Sequence, residues 1–187
     1  MRTYLTRLRE ARESQAEEGF TLIELLVVLL ILGILLAIAI PTFLTVTKSA
    51  TNTAASSNLQ TALTGAETYY TTNNGSYASI LTSKSISNIT QEGTGLSYVT
   101  TASTAAGVIS VDYVDANDIV LAAWNGSSRC YAIAAQKSSG GLSAYKVPSS
   151  VGTYYGWYTA TTNSACTSAS SGAGTITNWQ ETGGFPK

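Results

Sequence analysis

Residues 20–40 read FTLIELLVVLLILGILLAIAI, an apolar stretch with one charged residue, Glu24. As an α-helix rising about 1.5 Å per residue, this stretch is long enough to cross a hydrocarbon core of about 30 Å. An ionisable side chain inside a membrane span costs on the order of 2.5 kcal/mol or more and by default indicates a function. The stretch therefore predicts a membrane-spanning helix, with Glu24 as its candidate functional residue.

Basic residues lie mainly on the N-terminal side of this span. Four arginines precede it: Arg2, Arg7, Arg9 and Arg12. After it, Lys48 is the only Lys or Arg before Lys84. This bias predicts a cytoplasmic N-terminus and an outer C-terminal domain. Residues 41–43 do not form the small-residue cut site of a secretory signal. The simplest alternative is therefore an uncleaved single-span anchor that carries an outer domain.

Residues 18–25, Glu-Gly-Phe-Thr-Leu-Ile-Glu-Leu, resemble the processing site of bacterial type IV prepilins and type II secretion pseudopilins. The resemblance is tight over residues 18–45, and beyond them it extends only to the general layout. It implies that a prepilin peptidase cuts after Gly19 and then N-methylates Phe20. Residues 1–19 are then a cleaved leader, and residues 20–42 are the transmembrane and assembly helix.

The same resemblance implies a partner for Glu24. An α-amino group created at Phe20 is largely protonated at neutral pH. The family pairs this amine with the acidic residue of a neighbouring copy, which sets the register of the packed helices. The local alternative is that Glu24, as a first-turn acid, stabilises its own helix by about 0.3–1 kcal/mol. The two roles are compatible.

Two helix-weakening residues, Gly33 and Pro41, lie in the long helix. Proline removes a backbone donor and clashes with the carbonyl of Ala37, and glycine has a low helix propensity. A mild kink is the simple interpretation. By resemblance, residues 33–41 lose helical hydrogen bonds in an assembled filament, so both residues are assigned to assembly.

Apolar residues at helical spacing continue the helix to about Thr72, and Asn73-Asn74-Gly75 is a stop signal. Residues 43–73 are therefore the outer half of the helix. One face is predicted to pack on a sheet: Leu59, Ala62, Leu63, Ala66 and Tyr70. The opposite face is predicted to meet solvent or other subunits: Asn52, Ser56, Gln60 and Glu67.

Residues 74–187 are predicted to form a globular head. Four strands are expected: 107–114, 119–124, 130–136 and 154–159, with an Asn125-Gly126 turn between the second and third. The fold class is α+β, a long N-terminal helix packed on a small antiparallel sheet. Residues 73–106 are left open between short strands and a helical turn, and residues 160–187 are expected to be irregular.

The composition of the chain limits the kinds of functional site that are expected. The 187 residues include no His, 11% are charged, and the net charge is −1. We therefore expect no catalytic site, no metal, no cofactor and no nucleic-acid partner. The spacing of Asp112, Asp115 and Asp118 gives only a weak indication of calcium.

The two cysteines, Cys130 and Cys166, are expected to form a disulfide if the head is exported, worth about 3–4 kcal/mol. Two reduced, buried thiols are the alternative. Six aromatic residues are interpreted mainly as sheet core and cross-strand pairs rather than a binding surface: Trp124, Tyr131, Tyr154, Tyr155, Trp157 and Tyr158.

The resemblance implies a structural subunit of a type IV pilus, used for adhesion, twitching motility or DNA uptake. Its partners are then other copies of itself, the prepilin peptidase, the inner-membrane assembly machinery and, before assembly, the membrane. The chain is expected to be a single-pass membrane protein first and part of a cell-surface filament later. The alternatives are a type II secretion pseudopilin, a minor pilin and, less favoured, a membrane-anchored binding protein or enzyme.

Overall fold

The computed structural model describes residues 20–80, 95–181 and 184–186. The predicted leader, with Gly19, lies outside the described residues. The chain divides into two compact units, Met1–Thr45 and Val46–Lys187. Helix α1, Leu22–Thr72, begins in the first unit and ends in the second.

The described part of the first unit is the apolar beginning of α1. Every residue from 20 to 50 is exposed in the single chain. Among the described residues, α1 is the one helix long and apolar enough to cross a membrane, with a mean hydropathy of 3.2 over its most apolar window. Length and composition support the predicted span, and none of the described residues covers this surface.

The second unit contains a five-stranded sheet whose strands follow the chain in the order β1-β2-β3-β4-β5. The strands are β1 Ser97–Val99, β2 Val108–Tyr113, β3 Asp118–Trp124, β4 Arg129–Gln136 and β5 Gly152–Thr159. Strands β1 and β2 are parallel, and the other three pairs are antiparallel. The α+β fold and the four predicted strands are confirmed, with end points shifted by one or two residues.

Strand β1 is the element that the sequence left open, and it makes the sheet mixed rather than purely antiparallel. Parallel neighbours normally require a connection of a dozen or more residues. Here residues 100–107 suffice, because β1 has three residues and the chain must return over only about 10 Å. The register runs from Ser97 opposite Val108 to Val99 opposite Ser110.

The second half of α1 packs on one face of the sheet through small residues. Ala55, Leu59, Ala62 and Ala66 are each 0% exposed and share a cluster with sheet residues such as Ile133. Their spacing of four, three and four places them on one side of a helix. The predicted packing face is therefore confirmed for Leu59, Ala62 and Ala66. Leu63 and Tyr70 are only partly buried at its margin.

The helix ends where the sequence signal predicts. Asn74 and Gly75 adopt left-handed backbone conformations with φ of 56° and 68°. The Gly75 amide donates to the Tyr70 carbonyl at 2.9 Å, which satisfies a carbonyl of the last turn.

The other face of the sheet is also covered. A second cluster contains Val120, Ala132 and Tyr154 from the strands and Leu142 and Ile176 from the loops. Strands β3 and β4 are therefore buried on both faces, which explains their nearly continuous apolar sequences. The predicted irregular C-terminal region contributes to this second core through loops and the short 3₁₀ helix Ala173–Thr175.

The predicted environment of two polar residues of α1 is wrong. Asn52 was expected to face solvent or other subunits, but its Oδ1 accepts a 2.7 Å hydrogen bond from Asn125 Nδ2. Glu67 Oε2 pairs with Lys137 Nζ at 2.8 Å, and Glu67 Oε1 accepts the Tyr77 hydroxyl at 3.0 Å. Both side chains therefore attach the helix to the head. Helical periodicity separates polar from apolar positions, but it does not reveal a polar group on the opposing loop.

Asn125 organises the predicted turn between β3 and β4. Its Oδ1 accepts the backbone amides of residues 127, 128 and 129 at 2.9–3.0 Å, and the residue is 3% exposed. Gly126 follows with φ of 86°, a backbone angle that glycine adopts without a steric penalty. The turn is confirmed, and the Asn125 amide is fully engaged and buried.

Cys130 and Cys166 form a disulfide with a Cα–Cα distance of 5.2 Å, as predicted. Both residues are 0% exposed. The bond connects β4 to the loop after β5, across a sequence separation of 36 residues.

We predict that the double variant Cys130→Ser, Cys166→Ser has a free energy of unfolding about 3–4 kcal/mol below that of the wild type, because the unfolded chain loses its loop constraint. Urea unfolding of the full chain in detergent, followed by near-UV circular dichroism, measures the change. The fully reduced wild type is the matched control and should unfold at the same urea concentration as the variant. Equal stability of the oxidised wild type and the variant would contradict the prediction.

Buried tyrosines make the head sensitive to alkali. Burial raises the pKa of Tyr158 to about 12. Burial is the main cause that raises the pKa of Tyr77, and the neighbouring Glu67 carboxylate is the second. Burial, followed by the hydrogen bond to Asp112, raises the pKa of Tyr145. In the unfolded chain a tyrosine titrates near 10.

Because these pKa values are raised in the folded state, the stability they contribute is complete below pH 10 and is lost as pH rises through the folded-state values. We predict that the free energy of unfolding falls between pH 10 and about pH 12. Urea unfolding at several pH values, with tyrosinate absorbance at 295 nm, tests this. Tyr158→Phe should reduce the slope, whereas a stability that stays constant over this range would refute the prediction.

Candidate functional site

The candidate site at the start of α1 is built by a reciprocal pair of hydrogen bonds. Thr21 precedes the helix, and its backbone amide and hydroxyl both donate to Glu24 Oε2 at 2.8 Å. The Glu24 amide donates to Thr21 Oγ1 at 3.3 Å. This arrangement is a capping box, in which a threonine at the N-cap and a glutamate three residues later satisfy helix-end donors. Glu24 therefore performs the local helix-stabilising role that the sequence left as an alternative.

The capping contacts use one carboxylate oxygen of Glu24. Both bonds from Thr21 reach Oε2, and no residue in the described ranges binds Oε1. A carboxylate has two oxygens, each able to accept more than one hydrogen bond. Glu24 can thus cap its helix and still accept a cationic donor from outside the chain.

The surroundings of Glu24 are apolar. It lies in a shallow depression of the helix surface, whose other lining residues are Phe20, Ile23, Val27 and Val28. Phe20 is 82% exposed. The depression gives an incoming cation one charged partner and an otherwise hydrocarbon contact surface.

The other predicted assembly residues do not interrupt the helix in the single chain. α1 is continuous through Gly33 and Pro41. A methyl group added at Gly33 would meet nothing within 4 Å, so no intrachain contact requires glycine there. The Thr42 hydroxyl donates to the carbonyls of Ile38 and Ala39 at 3.0 and 2.9 Å, beside the donor that Pro41 lacks. Loss of helix over residues 33–41 on assembly stays a prediction.

The three aspartates whose spacing weakly indicated a calcium site each bind different partners. Asp112 accepts the Tyr145 hydroxyl, and Asp115 Oδ1 accepts the amide of Asn117 at 2.7 Å. Asp118 is 0% exposed and accepts the Lys137 amide at 2.7 Å and the Ser138 hydroxyl. Within the described ranges, no three His, Cys, Asp or Glu side chains are grouped to hold a metal ion.

The aromatic residues lie mainly in the two cores. Tyr131 and Tyr154 are 5% and 1% exposed, on opposite faces of the sheet. Tyr155 and Trp157 flank the helix-side core, while Trp124 and Tyr158 flank the other. The interpretation as core and cross-strand pairs is confirmed.

Sequence reasoning missed Thr21 as a site residue. The signal was present, because Thr-x-x-Glu before an apolar run is the sequence form of a capping box. The capping role was missed because the same residues also belong to the processing motif.

In a comparison with protein-family models, residues 15–40 match a model described as the prokaryotic N-terminal methylation motif. No curated protein and no solved structure is similar enough to match. The motif implies processing by a prepilin peptidase, and the apolar helix fits an inner-membrane prepilin. Proteins of the pilin-like kind are generally not enzymes. The methylation motif, together with a long N-terminal helix whose second half packs on a mostly antiparallel sheet, makes the chain a type IV pilin-like or pseudopilin-like subunit.

Proposed function

We propose that the chain is a structural subunit of a type IV pilus. A peptidase cuts it after Gly19 and methylates Phe20, and the mature chain assembles with copies of itself through residues 20–42. The filament then serves adhesion, twitching motility or DNA uptake at the cell surface. The observation that carries the proposal is the capped carboxylate of Glu24, four residues after the processing point, on an uncovered apolar helix.

Charge pairing supports this proposal. A cationic amine at Phe20 and an anionic Glu24 would each be costly to bury alone in an apolar bundle, by several kcal/mol. Pairing the amine of one copy with Oε1 of the next, which no described residue binds, offsets these costs. Only one axial offset between helices brings the two charges together, so the pair selects the register.

The exposed surface of α1 supports self-assembly as well. The large apolar side chains from Leu22 to Leu44 are between 45% and 82% exposed. Such a surface requires lipid before assembly and other helices afterwards, because contiguous exposed apolar surface is unstable in water.

Features of the head favour a pilus over a secretion pseudopilin. The resemblance associates major pseudopilins with smaller heads and often a calcium site. Here the acidic groups Asp112 and Asp118 are engaged with Tyr145 and Ser138, and a disulfide closes the C-terminal region. A disulfide suits an oxidising compartment outside the cytoplasm.

We predict that filaments sheared from cells expressing the chain contain it as a subunit that begins with N-methylated Phe20. The mature N-terminus is the product of the motif's cut, and mass spectrometry of the sheared material identifies both the residue and the methyl group. A subunit that begins at Met1, or a processed chain that never enters filaments, would refute the pilus proposal. A processed chain needed only for protein secretion would favour the pseudopilin alternative.

We predict that Glu24→Gln is processed normally but lowers filament yield at least about tenfold, because a neutral amide cannot balance the buried amine. Glutamine can still accept the Thr21 amide, so this variant removes the charge and retains the cap. Immunoblots of the cell and sheared fractions measure processing and assembly separately.

Thr21→Ser and Thr21→Val are the matched controls. Serine keeps the capping hydroxyl and should assemble like the wild type, whereas valine loses it at a cost of about 0.5–2 kcal/mol. Wild-type filament yield from Glu24→Gln would show that the charge pair is unnecessary. If capping alone mattered, Thr21→Val would lower filament yield, whereas Glu24→Gln, which keeps the cap, would not.

A further inference from the structure

Three aromatic residues form a cradle on the helix side of the sheet, at its β5 edge. Tyr131 lies opposite Trp157 in the β4–β5 register, and Tyr155 is two residues before Trp157. Alternation along the strands therefore places the three rings on the same face. We call Tyr131, Tyr155 and Trp157 the aromatic cradle.

The cradle already holds a ligand, the Gly-Phe-Pro segment of residues 184–186. The Phe185 ring meets Tyr131 and Tyr155 edge-on, with ring centroids 5.1 and 5.4 Å apart. Trp157 Nε1 donates to the Pro186 carbonyl at 3.0 Å. Edge-on ring pairs and an indole donor to a proline carbonyl give the contact a direction that simple apolar packing lacks.

The Trp157 ring also contacts a charged side chain. The Arg129 guanidinium lies 4.1 Å from the Trp157 ring centroid, a cation–π contact that holds the indole in place. Grooves lined by aromatic residues are known to bind proline-containing peptides. The ligand class that fits the cradle is a short peptide with adjacent aromatic and proline residues, like the resident segment.

The occupant is less firmly held than the core beneath it. Gly184, Phe185 and Pro186 are half-buried, whereas Tyr131 is 5% exposed. The preceding described anchor is Gln180, which exchanges two backbone hydrogen bonds with Tyr155 at 2.8 and 2.9 Å. Gly184 has φ of 80°, and an added methyl group there would meet nothing within 4 Å. The described residues thus leave open space beside Gly184.

We propose that the aromatic cradle is a peptide-binding site for the Gly-Phe-Pro segment, and that it accepts this segment from a second copy of the chain as well as from its own. An exchanged segment makes the same contacts as the resident one, so exchange between copies preserves every bond. Roughly 17 Å of extended chain between Gln180 and Phe185 sets the reach of the segment. The further consequence, that heads of neighbouring subunits are linked in this way, rests on the proposed filament; binding in trans does not.

Peptide binding to a chain with an emptied cradle tests the proposal. The full-length variant Phe185→Ala in detergent is titrated with a fluorescent peptide of residues 180–187, and anisotropy reports binding. The same peptide with Phe185→Ala is the control ligand. We expect the wild-type peptide to bind at least about tenfold more tightly than the control, because only it buries the phenylalanine ring.

Two tryptophan variants locate the binding. Adding Trp157→Phe removes the donor to Pro186 and should weaken peptide binding. Adding Trp179→Phe is the matched control: its Nε1 donates to the Tyr145 carbonyl, and it packs against the core on the other face of the sheet, so binding should not change. Phe185→Leu serves as a second host chain with a milder change, and we expect the same ranking of the two peptides.

Equal affinity for the two peptides, in either host chain, would overturn the proposal, as would tight binding that is insensitive to Trp157→Phe. The assay requires no filament, so its failure leaves the pilus proposal standing, and a failure of filament assembly leaves the peptide result standing.

Discussion

A carboxylate in the apolar first half of α1 is the constraint on which the proposed assembly of this protein depends. Glu24 cannot remain charged and alone in hydrocarbon, so something must stabilise it at each stage. In the single chain, the Thr21 amide and hydroxyl bind one of its oxygens and cap the helix. The other oxygen leaves capacity for a cation, and processing after Gly19 would create one on every copy. A local helix cap and the proposed intersubunit contact would therefore use the same side chain without competing for the same atom.

The head depends on a different constraint, the close contact between α1 and the sheet. Ala55, Leu59, Ala62 and Ala66 are buried in one cluster with residues of the strands. The loops and the disulfide cover the opposite face, so the middle strands are buried on both sides. The β5 edge of the helix-side face is covered by Phe185. A short peptide segment thus adds to the cover that the helix gives this face of the sheet.

Prediction from the sequence succeeded where a periodic pattern carried the information. The long helix, its end at Asn74-Gly75 and four of the five strands follow from spacing and turn residues. It left β1 open, because three residues are too few to show alternation. It failed for Asn52 and Glu67, whose polar character suggested solvent. Their partners, Asn125 and Lys137, are about 70 residues away in the chain, at a separation that no local pattern encodes.

The sequence by itself determined the class of protein, because a processing motif followed by a single acidic residue and an apolar run is local information. It also limited a disulfide to one intrachain pair, while two reduced thiols stayed an alternative. Tertiary structure alone decided that the disulfide forms, that the Thr21 contacts use one oxygen of Glu24, and that Phe185 lies in an aromatic cradle. It decided as well that the helix is attached to the head by polar contacts. Each of these depends on the positions of atoms far apart in sequence or on the orientation of a side chain, and only the folded backbone fixes those positions.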